Sequence, residues 1–204
     1  MNLLLLIGLP LLTAVTVLLS RNKQQVKWIA LVGSVAQLAL AFVLFFIYKH
    51  ERETGNAAQM LFEQNYPLFK SLNINFHLGV DGISIAMILL TAFVVVAGVL
   101  VSWHIEKMTK EFYFLLLLLG MGAYGFFISL DLFILFFFLE ISVIPKYLLI
   151  GIWGSGKKEY SANKLALMLM GGSALILVGI LGLYFAAGRS FDIMELSKAT
   201  VSLS

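Results

Sequence analysis

Apolar residues in this chain come in blocks too long for a soluble core, and short polar stretches punctuate them. Windows at 2–20, 28–48, 82–103, 112–130, 132–153 and 163–187 are almost wholly hydrophobic. A bilayer core about 30 Å thick takes roughly 20 such residues as a helix, so each window predicts a transmembrane helix. The stretch 112–153 reads as nearly one run, but as a single helix it would reach about 60 Å. It must turn, and Ser129-Leu130-Asp131 is its polar break, with Asp131 placed to cap the helix that follows. Pro10 predicts a kink in the first helix, tolerated where a neighbour satisfies the backbone group that a proline frees.

Other periods govern the segment between the second and third windows. Residues 57–66 (AAQMLFEQNY) predict a short interfacial helix, while NINFHL at 73–78 alternates polar and apolar side chains as a half-buried strand does. GVDGIS at 79–84 then breaks the chain and leaves Asp81 or Ser84 to cap the third span. Small residues mark expected close helix contacts: Gly120, Gly122 and Gly125, then Gly171, Gly172 and Ser173, and Ala97 with Gly98.

Composition decides the solvent. With 61% hydrophobic and 12% charged residues among 204, a globule this small would leave a large apolar surface in water. The expected fold is an all-α integral membrane protein, one membrane domain over 1–204. The N-terminal block lacks a positive n-region and is too long for a cleaved signal peptide, so it is read as a retained helix.

Charge sets the orientation. Loops 21–27, 104–111 and 154–164 lie on one side by parity and hold Arg21, Lys23, Lys27, Lys107, Lys110, Lys157, Lys158 and Lys164. Short basic loops face the cytoplasm, which puts both termini outside, in the periplasm. Trp28, Trp103 and Trp153 flank those same loops, where an aromatic belt belongs. The net charge of +3 does not imply nucleic acid, since no basic stripe interleaves with aromatics. Lacking cysteine, the chain has no thiol chemistry, and His50, His77 and His104 are scattered without metal-ligand spacing. No GxSxG, HExxH or dinucleotide fingerprint occurs, and GSGKK at 154–158 lacks the P-loop spacing.

One residue carries the candidate chemistry. Glu140 stands about nine residues into the fifth window, some 13–14 Å along a helix and near the bilayer centre. An ionised group there costs roughly 2.5–3.5 kcal/mol on insertion scales, and a glutamate lacks the stem to reach the interface. It must face protein or water, or hold a proton, which points to a proton relay; the structural alternative is a protonated interhelical hydrogen-bonder. Pro145 frees the Ile141 carbonyl beside the acid, while Lys146 lies six residues on, about 120° around the helix, a poor direct partner. Asp131 and Lys164 sit near helix ends, where caps and interface charges are ordinary.

The phrases LGVDGIS (78–84), EFYFLLLL (111–118), SLDLFILFFFLE (129–140) and IPKYLLIGIWG (144–154) resemble the antiporter-like M subunit of bacterial respiratory complex I, called chain 4 in mitochondria. The resemblance runs in order from the first window to about residue 187. It implies the start of an antiporter-like inverted-repeat fold, with the second repeat and its lysine helices not included. It also implies that Glu140 is the family's essential glutamate of the fifth helix, coupled to lysines on later helices. NADH, FMN, iron–sulfur clusters and quinone would belong to partner subunits, with no cofactor in this chain; the implied neighbours are the L and N siblings. Leu139 stands where that family often has tryptophan, and Lys146 where methionine is common. Competing readings are an Mrp-type cation/proton antiporter or membrane-bound hydrogenase subunit, and a non-transporting membrane scaffold.

Overall fold

Helices dominate the computed structural model, which describes residues 2–55, 58–69, 73–186 and 188–198. Five of them are long and apolar enough to cross a membrane: α2 (Lys23–Glu53), α3 (Gly82–Val101), α4 (Thr109–Ile128), the pair α5 (Leu132–Ile141) and α6 (Val143–Trp153), and α7 (Lys158–Ala186). The first, α1 (Leu4–Leu19), has 16 residues, about 24 Å at the α-helical rise, and is shorter than those spans. A four-residue helix, α8 (Ile193–Leu196), follows α7.

Local chemistry marks the helix starts. Asn22 caps α2 by accepting from the Gln24 N–H at 3.0 Å, and Asp81 caps α3 by accepting from Ser84 N–H at 2.7 Å. Of the two residues expected to cap the third span, Asp81 is therefore the one. Asp131 caps α5, its Oδ1 accepting from Phe133 and Ile134 N–H. The stripe Ile85, Ile88, Ala92, Val95 and Val99 of α3 follows the helical period and is buried.

Pro10 leaves the Leu6 carbonyl without its helical donor. The Gln37 side chain, 2% exposed on α2, supplies one: its Nε2 donates to Leu6 O at 3.0 Å. Hence the neighbour that permits proline inside α1 is a buried amide of the next helix. At Ser142 the fifth span is interrupted, three residues before Pro145, with α5 ending and α6 beginning on either side. Ser142 Oγ donates back to the Phe138 carbonyl at 3.0 Å.

Helix α4 lies at the centre, packed against α1, α2, α3, α5 and α6. Its glycines make this possible. A Cβ on Gly122 would lie 2.2 Å from Ser142 Oγ and 3.2 Å from the Phe138 carbonyl, and one on Gly125 would lie 2.3 Å from the Phe138 ring. Gly120 approaches Val95 of α3 in the same way, whereas Gly98 makes an ordinary contact with Leu116. Gly171 and Gly172 meet nothing within 4 Å, so the close contact expected there is not made within the described residues.

Of the interfacial helix expected at 57–66, residues 61–66 are instead strand and 58–60 are not helical. β1 (Leu61–Phe69) pairs antiparallel with β2 (Ile74–Val80), in register Asn65↔His77 and Tyr66↔Phe76; Ala57 lies outside the described residues. The strand expected at 73–78 coincides with β2 from Ile74 on, Asn73 lying in the turn before it. β2 buries most of its side chains and must pair its backbone groups, and the preceding segment is the partner in reach.

Candidate functional site

The hairpin, the α4–α5 turn and the segment after α7 meet at one end of the bundle. Leu130 N–H donates to the His77 carbonyl at 2.8 Å, and Ile193 N–H to the Leu130 carbonyl at 2.9 Å. Side chains reinforce these ties: His77 Nδ1 and Asp192 Oδ2 are 2.6 Å apart, both residues buried, and Glu63 stands 3.7 Å from His77 Nε2. Asp131, fully buried, also accepts from Asn75 N–H at 3.1 Å. Burial pushes its carboxyl above the ordinary range and Asp192 adds to this, against the lowering effect of the three backbone donors. The sequence reading took His77 as an interface or loop residue; only the returning segment at 190–193 makes it the centre of a buried polar cluster. Among the described residues no three His or acidic side chains converge to hold a metal ion.

Eight residues beyond Leu132, about 12 Å along the helix, stands Glu140. Phe138 and Ser142 on either side of it face α4, so Glu140 projects from the other side of α5. Its Oε1 is buried and meets no hydrogen-bond partner among the described residues. A buried carboxyl oxygen without a hydrogen-bond partner among the described residues is costly, because a polar group taken out of water needs one.

The other sequence-derived candidates are not gathered around Glu140. Lys146 lines a cleft of about 190 Å³ between α4 and the α5–α6 junction, with Gly122, Phe126, Leu139 and Ser142 among its walls; Glu140 does not line it. No ion pair joins Lys146 to Glu140 among the described residues. Pro145 is buried in the first turn of α6. Lys164 is exposed on α7, and Asp131 belongs to the polar cluster at the far end of α5.

At the opposite end the three basic loops converge. Lys23 Nζ donates to Glu106 O at 3.1 Å, Trp153 Nε1 donates to Lys107 O at 2.8 Å, and Trp28 packs edge-on against Trp103.

Residues 129–204 match the family described as NADH:quinone oxidoreductase/Mrp antiporter, transmembrane. Chloroplastic NAD(P)H-quinone oxidoreductase chain 4 of Adiantum capillus-veneris is 32% identical over 203 residues, 98% of this chain and 40% of the relative. Chain 4-2 of the Synechocystis enzyme is 33% identical over 194 residues, covering 94% of this chain and 34% of that one. The chain thus spans well under half the length of these relatives. Among solved structures, a chain of respiratory complex I from Thermus thermophilus with bound NADH superposes with a TM-score of 0.83 at 22% identity, over 98% of this chain and 40% of that one. A chain of an archaeal membrane-bound sulfane sulfur reductase gives 0.76 at 23%, over 96% and 39%. These two likenesses concern the fold.

Proposed function

The chain belongs to the NADH:quinone oxidoreductase/Mrp antiporter transmembrane family, as a chain 4-like partial sequence, and on that premise we propose that it is part of a proton-translocating membrane-arm subunit. Glu140 is the proton-accepting group. The observation that carries this reading is its buried Oε1, without a partner among the described residues, on a helix otherwise made of apolar side chains. An acid within a membrane helix marks a functional site, and one that exchanges a proton with a hydrated path can pass protons on. The break at Ser142, one turn from Pro145, frees backbone groups next to the acid and supports a polar lining there.

NADH oxidation and quinone reduction take place in partner subunits, the L and N siblings are the membrane-arm neighbours, and this chain carries no redox group. Its site is the inner (cell) membrane, with the basic-loop end cytoplasmic and both ends of this sequence periplasmic. Lysines on helices beyond this sequence complete the path with Glu140. The experiment is Glu140→Gln in the full-length subunit within its complex. Proton pumping driven by NADH oxidation falls roughly tenfold or more, as for loss of a proton-transfer group, while the complex still assembles. Pumping that stays unchanged would falsify the assignment and leave only the scaffold reading.

A second reading has support in the family description itself, which spans Mrp antiporters, and in the likeness to the sulfane sulfur reductase fold. In that case the same acid serves cation/proton exchange. Neighbouring genes for dehydrogenase and iron–sulfur subunits favour the first reading, and genes for small antiporter subunits the second.

A further inference from the structure

Each ring nitrogen of His77 faces a different carboxylate, on a different segment of the chain. Nδ1 lies 2.6 Å from Asp192 Oδ2, and both side chains are buried. Nε2 lies 3.7 Å from Glu63 Oε2 on β1, and that carboxylate is half-exposed. Other charged groups at this end are engaged elsewhere. Asp131 repels Asp192 across the α4–α5 turn but accepts from Asn75, Phe133 and Ile134 N–H. Glu195 bonds Ser190, Asp81 caps α3 through Ser84, and Arg52 of α2 donates to the Ala58 and Gln59 carbonyls ahead of β1. Among the described residues, His77 is the basic group in contact with Glu63 and with Asp192.

The two contacts respond differently to a proton. A ring lone pair and a carboxylate oxygen 2.6 Å apart would repel, so a proton lies between Nδ1 and Asp192 in either charge state. Nε2 is the nitrogen that can change. In the neutral ring its lone pair faces the Glu63 carboxylate; in the imidazolium it becomes a charged donor to it. Histidine is the side chain whose ordinary charge change falls between about pH 5 and 8. Glu63 also stands where β1 most needs a side-chain tie. The pairing with β2 shifts register between Leu61 and Gln64, where Phe62 has φ 57°, and such a bulge interrupts the backbone ladder. We propose that His77 is a pH-dependent clamp on the hairpin. With both nitrogens protonated it holds β1 through Glu63 as well as the 190–193 segment through Asp192. As pH rises and Nε2 loses its proton, Asp192 stays bound and Glu63 is released. The clamp does not rest on the role given to Glu140.

Hydrogen exchange of the 61–69 amides, in the full-length subunit within its complex, tests this at pH 6 and pH 8. Rates are first corrected for the intrinsic effect of pH on exchange. In the wild type these amides should be about two- to fivefold better protected at pH 6, the scale of a part-exposed ion pair. Glu63→Gln keeps the shape of a half-exposed side chain and removes its charge, so the difference should vanish. Glu140→Gln should leave it intact. Equal protection at both pH values in the wild type, greater protection at pH 8, or an unchanged difference in Glu63→Gln overturns the proposal.

Discussion

A carboxylate at a helix start is usually favoured in its charged form by the N–H groups it caps. Asp131 has two such donors and a third N–H from Asn75 of β2, yet burial outweighs them and lifts its carboxyl above the ordinary range. The folded chain therefore holds this proton more tightly than the unfolded chain. Its contribution to stability is complete below the ordinary carboxyl pKa and fades as pH rises through the raised value. Asp131→Asn keeps an oxygen to cap α5 and cannot ionise. Thermal unfolding of the full-length assembly should accordingly lose part of its acid-side pH dependence in this variant. A profile that parallels the wild type would show that Asp131 does not titrate as described. Asp131 and Glu140 were legible in the sequence because an acid inside an apolar run stands out. Gln37 and His77 were not, since an uncharged residue or a loop histidine gains significance only from the groups packed against it.

For the helices, proline provides the sharper lesson. Pro10 orphans a carbonyl, and a glutamine 27 positions later in the sequence (37 minus 10) answers it across the α1–α2 contact. Gln37→Leu should lower the stability of the full-length assembly by about 1–3 kcal/mol, the cost of an unmet buried acceptor. In a Pro10→Ala background, where a helical N–H again reaches Leu6 O, the same change should cost less. A double-mutant cycle on thermal unfolding reads the difference, and strict additivity would contradict the pairing. That a neighbour must satisfy the freed carbonyl was readable from the sequence; which side chain does so was not. The hairpin shows the opposite failure: residues 57–66 carry a pattern that a short helix can use, but β2 needs a backbone partner, and that need is tertiary.

Across the whole molecule, polarity is distributed by end. The three basic loops gather beside Trp28, Trp103 and Trp153, while the hairpin, Asp131 and the 190–193 segment gather at the other end. This division yields a direct test of orientation, because the 204 residues contain no cysteine. Cysteine placed at exposed Ser155 of the full-length protein should react with a membrane-impermeant maleimide only from the cytoplasmic side. Cysteine placed at exposed Thr54 should react only from the outside, with any labelling of the parent protein subtracted. Equal labelling of both from one face would reverse or abolish the assignment. The helix α7 adds another feature of scale: it buries only Ala162, Ser173, Ile180 and Tyr184 along 29 residues. Most of its surface has no neighbour among the described residues.

By itself the sequence determined the solvent, the apolar helices, the turn at 129–131, the caps and the acid in the fifth window. These depend on averages over about 20 residues or on groups within three positions of one another, and such information is local. Tertiary structure alone decided which helix faces meet, which amide serves Pro10, which strand completes β2, and which oxygens are left unmet. Those outcomes depend on helix rotation and register, and a periodic apolar run is compatible with several of each. In lipid the apolar faces differ little in energy, so close glycine contacts and the few buried polar pairs select among them.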